Sequence, residues 1–265
     1  MKVKKYISIM KSAMLDSIAY RSAYFNNLIF RFVQIMCMFY IWKTAFSINH
    51  EINGFSWAEI KQYLLITYIC TNLMSLKTDF EISKKIMLGS VVIDLLRPIS
   101  FQIANFAQII GASLLEASVS TIISGFVLAI IFQVQIPTDT ITLILLVISI
   151  FMSLMVRFTL IFLFSLFCFW TTSINGIVAL RTALTNLFSG ALIPLSFFPK
   201  WAENIALYSP FQSLIHTPAS IFMTNVDFKT AVLLITIQVF WFIVIWILGK
   251  MFWKIAVRKL TVFGG

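Results

Sequence analysis

Apolar residues in this chain gather into long uninterrupted runs, with polar, charged or proline-broken stretches between them. Six runs reach the roughly 20 residues that a helix needs to cross a bilayer. They are Asn27–Ser47, Trp57–Leu76, Phe101–Phe132, Thr140–Trp170, Ile174–Leu195 and Thr230–Gly249. The third and fourth are longer than a bilayer requires, so they tilt or project beyond it. The pattern predicts an all-α polytopic membrane protein with six transmembrane helices.

Residues 3–26 follow a different rhythm. Ile7, Met10, Met14 and Ile18 recur at three- and four-residue steps, with Lys5, Ser8 and Ser12 off that face and Lys11 and Arg21 adding charge. This spacing fits a helix lying in the inner membrane interface. A helix packed on the cytoplasmic ends of the spans has the same pattern. The N-terminal stretch is basic but has neither a clean apolar core nor a small-residue cleavage site, so it does not read as a signal peptide.

Composition sharpens the class. Hydrophobic residues make up 60% of the 265 and charged ones 11%, against about 45–50% and about 25% in soluble domains. Mean hydropathy is +0.95. A soluble fold of this size still leaves much of its surface in water and has no way to hide so much apolar area. A soluble enzyme, a disordered chain and a disulfide scaffold are excluded. Cys37, Cys70 and Cys168 each sit inside an apolar run without a CxxC pair, and read as small buried hydrophobes.

The net charge of +10 has a topological reading. With the N-terminus inside, 14 Lys and Arg residues fall on the cytoplasmic side and 4 outside, with Arg31 and Arg157 inside spans. Cytoplasmic loops are the basic ones, which places both termini in the cytoplasm. No RNA- or DNA-binding motif accompanies the charge, so nucleic acid is not an expected partner.

Two connecting stretches carry information. The inner loop, residues 78–100, offers Thr78 or Asp79 as a helix cap and Glu81 three and four residues before Lys84 and Lys85. Gly89 is suited to close that helix in the left-handed region, and Pro98 interrupts the chain before the third run. This charged helix is either a solvated connector or a docking element. Phe80, Ile82, Ile86 and Met87, taken as exposed, favour docking. On the outer side, residues 189–225 are apolar and aromatic but broken by Pro194, Pro199, Pro210 and Pro218. Such pieces suggest segments dipping into the outer leaflet, where irregular backbone must be covered by protein or line a wet cavity.

Chemistry is sparse. No phosphate-binding GxxxxGK[ST] loop is present, so the chain does not split ATP itself. His50 and His216 are far apart and make no metal site, and no GxSxG or HExxH cluster appears. No cofactor is expected in this chain. The unusual residues are Glu116 and Arg157, each about 15 residues from the cytoplasmic end of its run. An unpaired charge at that depth costs about 2.5–3.5 kcal/mol. Either the two pair, or one of them faces a substrate path. Ala107–Gly111 and Ser120–Ser124 on the third run have the small-xxx-small spacing that allows close helix approach. Gln102, Asn105, Gln108 and Ser113 on the same run should face a partner or a wet cleft. Asn175, Arg181 and Asn186 mark the fifth run as inward-facing.

The inner-loop pattern FEISKKIMLG…IDLLRPIS resembles the charged-helix, Gly, LLRP element of bacterial ABC transporter permeases of the type-two exporter class. The outer stretch SGALIPLSFFPKW…LYSPFQSLIHTPASIF is similar to the segment before the last span of that family, and the terminal Gly264–Gly265 suits it. Asp94 departs from the apolar lead-in expected before LLRP. The resemblance implies a permease subunit of an ATP-driven exporter in the cytoplasmic membrane, paired with an identical or related permease. Separate ATPase subunits, holding the ATP and Mg, would dock beneath. It implies an interfacial connector helix at residues 1–26 and a permease domain over 27–265. Coupling to the ATPase would fall to Asp79, Phe80, Glu81, Lys84, Lys85, Ile86 and Met87. An outer gate within 196–228 and its approach would use Pro194, Phe197, Phe198, Pro199, Trp201, Pro210 and Phe211. Rival readings are an ion-coupled secondary transporter, disfavoured by a single deep acid and no visible repeat, and a membrane assembly protein without transport.

Overall fold

The computed structural model describes residues 2–19, 21–48, 51–72, 76–97, 99–171, 173–223 and 227–259. The protein is all-α. Its helices are α1 (Lys2–Ala19), α2 (Arg21–Ile48), α3 (Trp57–Asn72), α4 (Leu76–Met87), α5 (Val91–Leu95), α6 (Phe101–Phe132), α7 (Thr140–Leu166), α8 (Ile174–Phe188), α9 (Lys200–Tyr208), α10 (His216–Phe222) and α11 (Phe228–Ala256). Among the described residues, three helical stretches are long and apolar enough to cross a membrane: Leu28–Ile48, Thr140–Phe169 and Phe228–Ala256.

Local signals explain the boundaries. Between α2 and α3, strands β1 (Glu51–Ile52) and β2 (Phe55–Ser56) pair antiparallel. Their turn is Asn53–Gly54, both at positive φ, the dipeptide that a two-residue hairpin favours. Ser56 and Glu59 then form a capping box: the Ser56 amide donates to the Glu59 carboxylate at 2.8 Å, and the Glu59 amide donates to the Ser56 hydroxyl at 3.4 Å. The third run forms α6 over its whole expected length and ends at Gln133 in the left-handed region. Asp139 caps α7, accepting from the Ile141 and Thr142 amides.

The fifth run, expected to continue to Leu195, stops as α8 at Phe188. Gly190 is the cause. It sits at φ +83, and a Cβ there would run into the Tyr63 hydroxyl. That hydroxyl donates to the Gly190 carbonyl at 2.6 Å. In the second run α3 covers Trp57–Asn72, and α4 begins at Leu76, upstream of the expected caps Thr78 and Asp79.

The helix α7 is the hub. Along its length it packs against α11, and it also meets α10, α4 and α8. Its C-terminal half joins an aromatic cluster in which Phe158 meets Phe106 (5.0 Å between centroids) and Phe101 stacks on Trp253 at 4.3 Å. Gln102 on α6 donates to the Trp246 carbonyl, and Asn105 and Ser113 are buried, so the polar residues of α6 do face protein. Elsewhere α2, α7 and α11 expose large apolar side chains such as Phe30, Val147 and Phe240, as lipid-facing helices do.

The helix α1 lies against α6. Tyr6 accepts a hydrogen bond from the Ser100 amide at 3.1 Å, and a Cβ on Gly111 would strike the Met10 carbonyl. The Ala107–Gly111 pair therefore serves close approach, with α1 as the partner. The face turned inward carries Tyr6, Met10 and the buried Ala13, whereas Ile7 of the expected apolar stripe is exposed. Residues 21–26 belong to α2 and not to α1. Of the cysteines, Cys70 and Cys168 are buried as expected and Cys37 is exposed on α2, where an apolar neighbour of lipid needs no cover from protein.

Two outcomes follow. Hydrogen bonds from Thr142 hold the Asp139 carboxyl below its ordinary value of 3.8. Asp139→Ala should lower the thermal midpoint in detergent at pH 7. The gap to wild type should close as pH falls below the ordinary aspartate value, because the capping carboxylate is lost once it is protonated in the fold. Gln238 on α11, fully buried, donates to the carbonyls of Ser213 (2.8 Å) and Ser149 (3.2 Å). Gln238→Leu should lower stability by about 1–3 kcal/mol in denaturant titrations, since it strands buried acceptors.

Candidate functional site

Three regions bear chemistry or an unusual surface. The first is α4. Taking 100° per residue, Phe80, Glu81, Lys84, Met87 and Leu88 fall within about 120° of one another, and all five are exposed. The opposite side presents Ile82, Ser83 and Ile86, all buried, against α7, α8 and the turn at Phe167–Phe169. The helix is thus amphipathic in an inverted sense. A core stripe fixes it to the bundle, and a mixed apolar and charged stripe faces away. Ile82 and Ile86, expected to be exposed, are 1% and 5% accessible. They fill the cluster around Phe158 and Phe162, where their burial is worth more than a place on a wet surface. Gly89 closes the helix at φ +69 as expected, and the Leu88 amide donates to the Lys84 carbonyl.

Lys85 turns inward. Its ammonium donates to Gln108 at 3.2 Å and to Asn105 at 3.4 Å on α6, and lies 3.9 Å from Asp94. Asp94 also meets Arg97 at 3.5 Å. The acid that breaks the apolar lead-in therefore ties α4, α5 and the approach to α6 together. A small cleft opens beside it, lined by Ile9 of α1 as well as Lys85, Asp94, Arg97 and Asn105. The side chain of Asp79, and Pro98, lie outside the described residues.

The second region is the proline-broken segment between α8 and α11. Pro194 is buried and starts a single 3-10 turn at Leu195–Phe197. The Phe197 ring lies 5.2 Å from Trp42 and 5.6 Å from Phe55. Phe198 is half-buried, Pro199 sits at the start of α9, and Trp201 is 70% exposed. Pro210 opens a second 3-10 stretch through Leu214, with Phe211 6.3 Å from Phe188. This stretch and α10 pack against α7 and α11, with α3 beside α10. The backbone there is irregular, yet its carbonyls are served by side chains. Ser153 donates to Leu214 at 2.6 Å and Gln238 to Ser213 at 2.8 Å. The Ser189 carbonyl accepts from the His216 amide.

The third region is a cavity of about 270 Å3 between α2, α3, α7 and α8. Arg31, Arg157 and Arg181 all line it, with Thr67, Tyr68, Thr71 and Thr185. Its lining contains no acidic residue among those described. Two of the arginines sit on the end of α3: Arg31 donates to the Thr71 carbonyl and Arg157 to the Cys70 carbonyl at 2.8 Å. Carbonyls of a last helical turn lack intrahelical partners, and cations suit that pole. Arg181, 6% exposed, donates to Thr182. Asn186 lines the same cavity, whereas Asn175 is exposed at the start of α8. The side chain of Glu116, expected opposite Arg157, lies outside the described residues, as does His50.

The model of the ABC-2 family transporter proteins matches residues 32–264. The chain belongs to that family. No curated protein matches it. An ABC-2 chain is the membrane permease component of an ABC transporter, and the long apolar helices place this one in a membrane.

Several features of this ABC-2 permease are absent from a reading by runs and motifs. The hairpin at Asn53–Gly54 and the Ser56–Glu59 capping box both have local signatures, NG and SxxE. Leu88 completes the exposed stripe of α4 at the i, i+4 position from Lys84, which a helical wheel shows. The meeting of Arg31, Arg157 and Arg181 has no such signal, because it joins three helices distant in sequence. Lys85 and Asp94 provide a check on the stretch between α4 and α6 of this ABC-2 protein. Both are partly exposed, so their direct coupling in a double-mutant cycle should stay below about 1 kcal/mol. Lys85→Met alone should destabilise more than Asp94→Asn, since it also removes the two contacts to α6. Equal effects in thermal melts would show that the ion pair dominates.

Proposed function

We propose that this chain is a six-span permease subunit of an ATP-driven exporter in the cytoplasmic membrane, with both termini inside and α4 as the element that receives motion from a separate ATPase. The observation that carries this reading is the two-faced α4. A solvated connector has little use for Phe80, Met87 and Leu88 at the surface. A docking helix needs both that outer stripe and a firm inner anchor, which Ile82, Ile86 and Lys85 provide.

The coupling surface is then Phe80, Glu81, Lys84, Met87 and Leu88, with Asp79 beside them and Lys85 and Ile86 holding the helix from behind. The six-span count is supported by α3 and α8 flanking the broken segment. At 16 and 15 residues they span about 22–24 Å, short of the roughly 30 Å hydrocarbon core. The irregular segment through α10 fills the remaining outer depth, and serves as the outer gate with Pro194, Phe197, Phe198, Pro199, Trp201, Pro210 and Phe211. A second permease, identical or related, completes the translocation unit, and α1 connects the inner interface to α6. ATP and Mg belong to the ATPase.

The test is co-purification. A partner ATPase of about 25–35 kDa, by ordinary domain size, should accompany the tagged permease from mild detergent. The double reversal Glu81→Lys with Lys84→Glu should weaken that association about 30-fold, the effect of losing a central interface contact. Retention equal to wild type would remove α4 as the contact.

A further inference from the structure

We propose that α9 is a lipid-binding element, seated in the membrane interface at the end of the bundle where α2 ends, with Trp201, Ile205 and Tyr208 inserted among the headgroups. It rests on the reading of the chain as a permease only for which leaflet this is, the outer one on the proposed topology. Taking 100° per residue, the three side chains fall within about 60° of one another, and they are 70%, 53% and 82% exposed. Asn204 and Lys200, both exposed, stand on one flank of that stripe. The opposite side turns to protein. Ala206 is fully buried, and Ala202, Glu203 and Leu207 are partly covered. The two alanines let the helix lie close against α8 and the 3-10 turns before and after it.

The chemistry of the stripe identifies lipid as its occupant. Trp and Tyr favour the headgroup level because each joins an apolar ring to a polar tip. A lysine beside them suits the phosphates. Lys200 has a side chain 91% exposed, whereas the acid of the helix, Glu203, is 14% exposed and meets Lys200 at 3.0 Å. A protein partner fits less well. At about 150–250 Å2 for each aromatic side chain, two rings and an isoleucine fall short of the roughly 800 Å2 per side of a stable interface. An interfacial helix needs only an apolar stripe with a basic flank.

The level of α9 agrees. Phe197, three residues before Lys200, touches Trp42 of α2 at 5.2 Å and Phe55 of the hairpin beyond α2 at 5.6 Å. Trp42 lies six residues before the end of the apolar stretch Leu28–Ile48, about 9 Å along the helix. The chain thus enters α9 close to where this stretch ends. Lys43 is exposed beside Trp42, and Trp57 stands at the start of α3, within 5.8 Å of Phe46. Tryptophan and lysine together mark such a boundary. Pro199 and Pro210 bracket α9 and part it from the flanking turns. At nine residues it is about 13 Å long, too short to span. Trp201 then faces lipid and not the gate, and α9 ties the turns Leu195–Phe197 and Pro210–Leu214 to the depth of the bilayer surface.

The full chain carrying Cys37→Ser is reconstituted in phosphatidylcholine vesicles, with a nitroxide attached in turn through Lys200→Cys, Ile205→Cys and Tyr208→Cys. All three sites are exposed, so a label displaces no packed neighbour. Collision with oxygen, which concentrates in lipid, is compared with collision with a neutral nickel chelate, which stays in water. Labels at 205 and 208 should favour oxygen, at a depth of about 5–10 Å into the headgroup boundary, and the label at 200 should favour nickel. Nickel dominance at 205 and 208 overturns the proposal, because that face is then in water. Shielding from both reagents there also overturns it and shows a protein cover, such as a second copy. Oxygen dominance at all three sites means that the whole helix is immersed, and overturns the interfacial seat. A membrane-impermeant maleimide applied to intact cells reads the side. Reaction at Lys200→Cys only after lysis, with the oxygen pattern kept, supports the lipid seat and sinks only the proposed topology.

Discussion

Everything else in this fold depends on how an irregular backbone is kept satisfied inside an apolar bundle. Residues 210–222 are neither one continuous helix nor a strand, yet they are enclosed by α7 and α11, with α3 against α10. Water is scarce at such a place, and each stranded carbonyl is expensive. The bundle answers with side chains: Ser153 to Leu214, Gln238 to Ser213, and Tyr63 to Gly190. Ser149 in turn donates to Gln238 and fixes its amide. Four polar residues from three helices thus hold the broken segment and the end of α8. The small residue at 190 follows from the same arrangement, since the Tyr63 hydroxyl occupies the space where a Cβ would stand.

The position of α7 gives this arrangement a mechanical consequence. Ser153 grips the broken segment from one stretch of the helix, and Phe158 and Phe162, five and nine residues further on, share a core with Ile82 and Ile86 of α4. Arg157 stands between the two and reaches the end of α3. On the proposed reading, a push on α4 meets a rigid helix whose other half holds the gate, with the arginine cavity beside it. Coupling through packed side chains along one rigid element is the physical form such transmission takes. It requires that α4 be firmly attached to the bundle, which explains why half of that helix is core.

Much of this was legible from the sequence, and the parts that were not share a cause. Uninterrupted apolar runs located α2, α6, α7 and α11, because length and hydropathy alone decide whether a helix suits lipid. Gly89 was readable as a left-handed stop, and Gln102 and Asn105 as protein-facing, since a polar group toward lipid is costly. Run length failed at Phe188, where the residues stay apolar past the helix end and the stop comes from a tertiary contact, Tyr63 on Gly190. Exposure failed at Ile82 and Ile86. Periodicity places them on one face but does not say which face meets the bundle. The arginine cavity was invisible for a stronger reason: Arg31, Arg157 and Arg181 become one feature only when α2, α7 and α8 are brought together.

The charge distribution ties these observations together. Intramembrane charges in a bundle of this kind need a reason to be retained, because apolar replacements of similar size cost less to insert. Arg31 and Arg157 each donate to a carbonyl near the end of α3, and Arg181, buried on α8, donates to its neighbour Thr182. Thr67, Tyr68 and Thr185 have buried hydroxyls around the same space. Polar groups from α2, α3, α7 and α8 thus meet around one space inside an otherwise apolar bundle, where each needs a partner to offset the cost of leaving water.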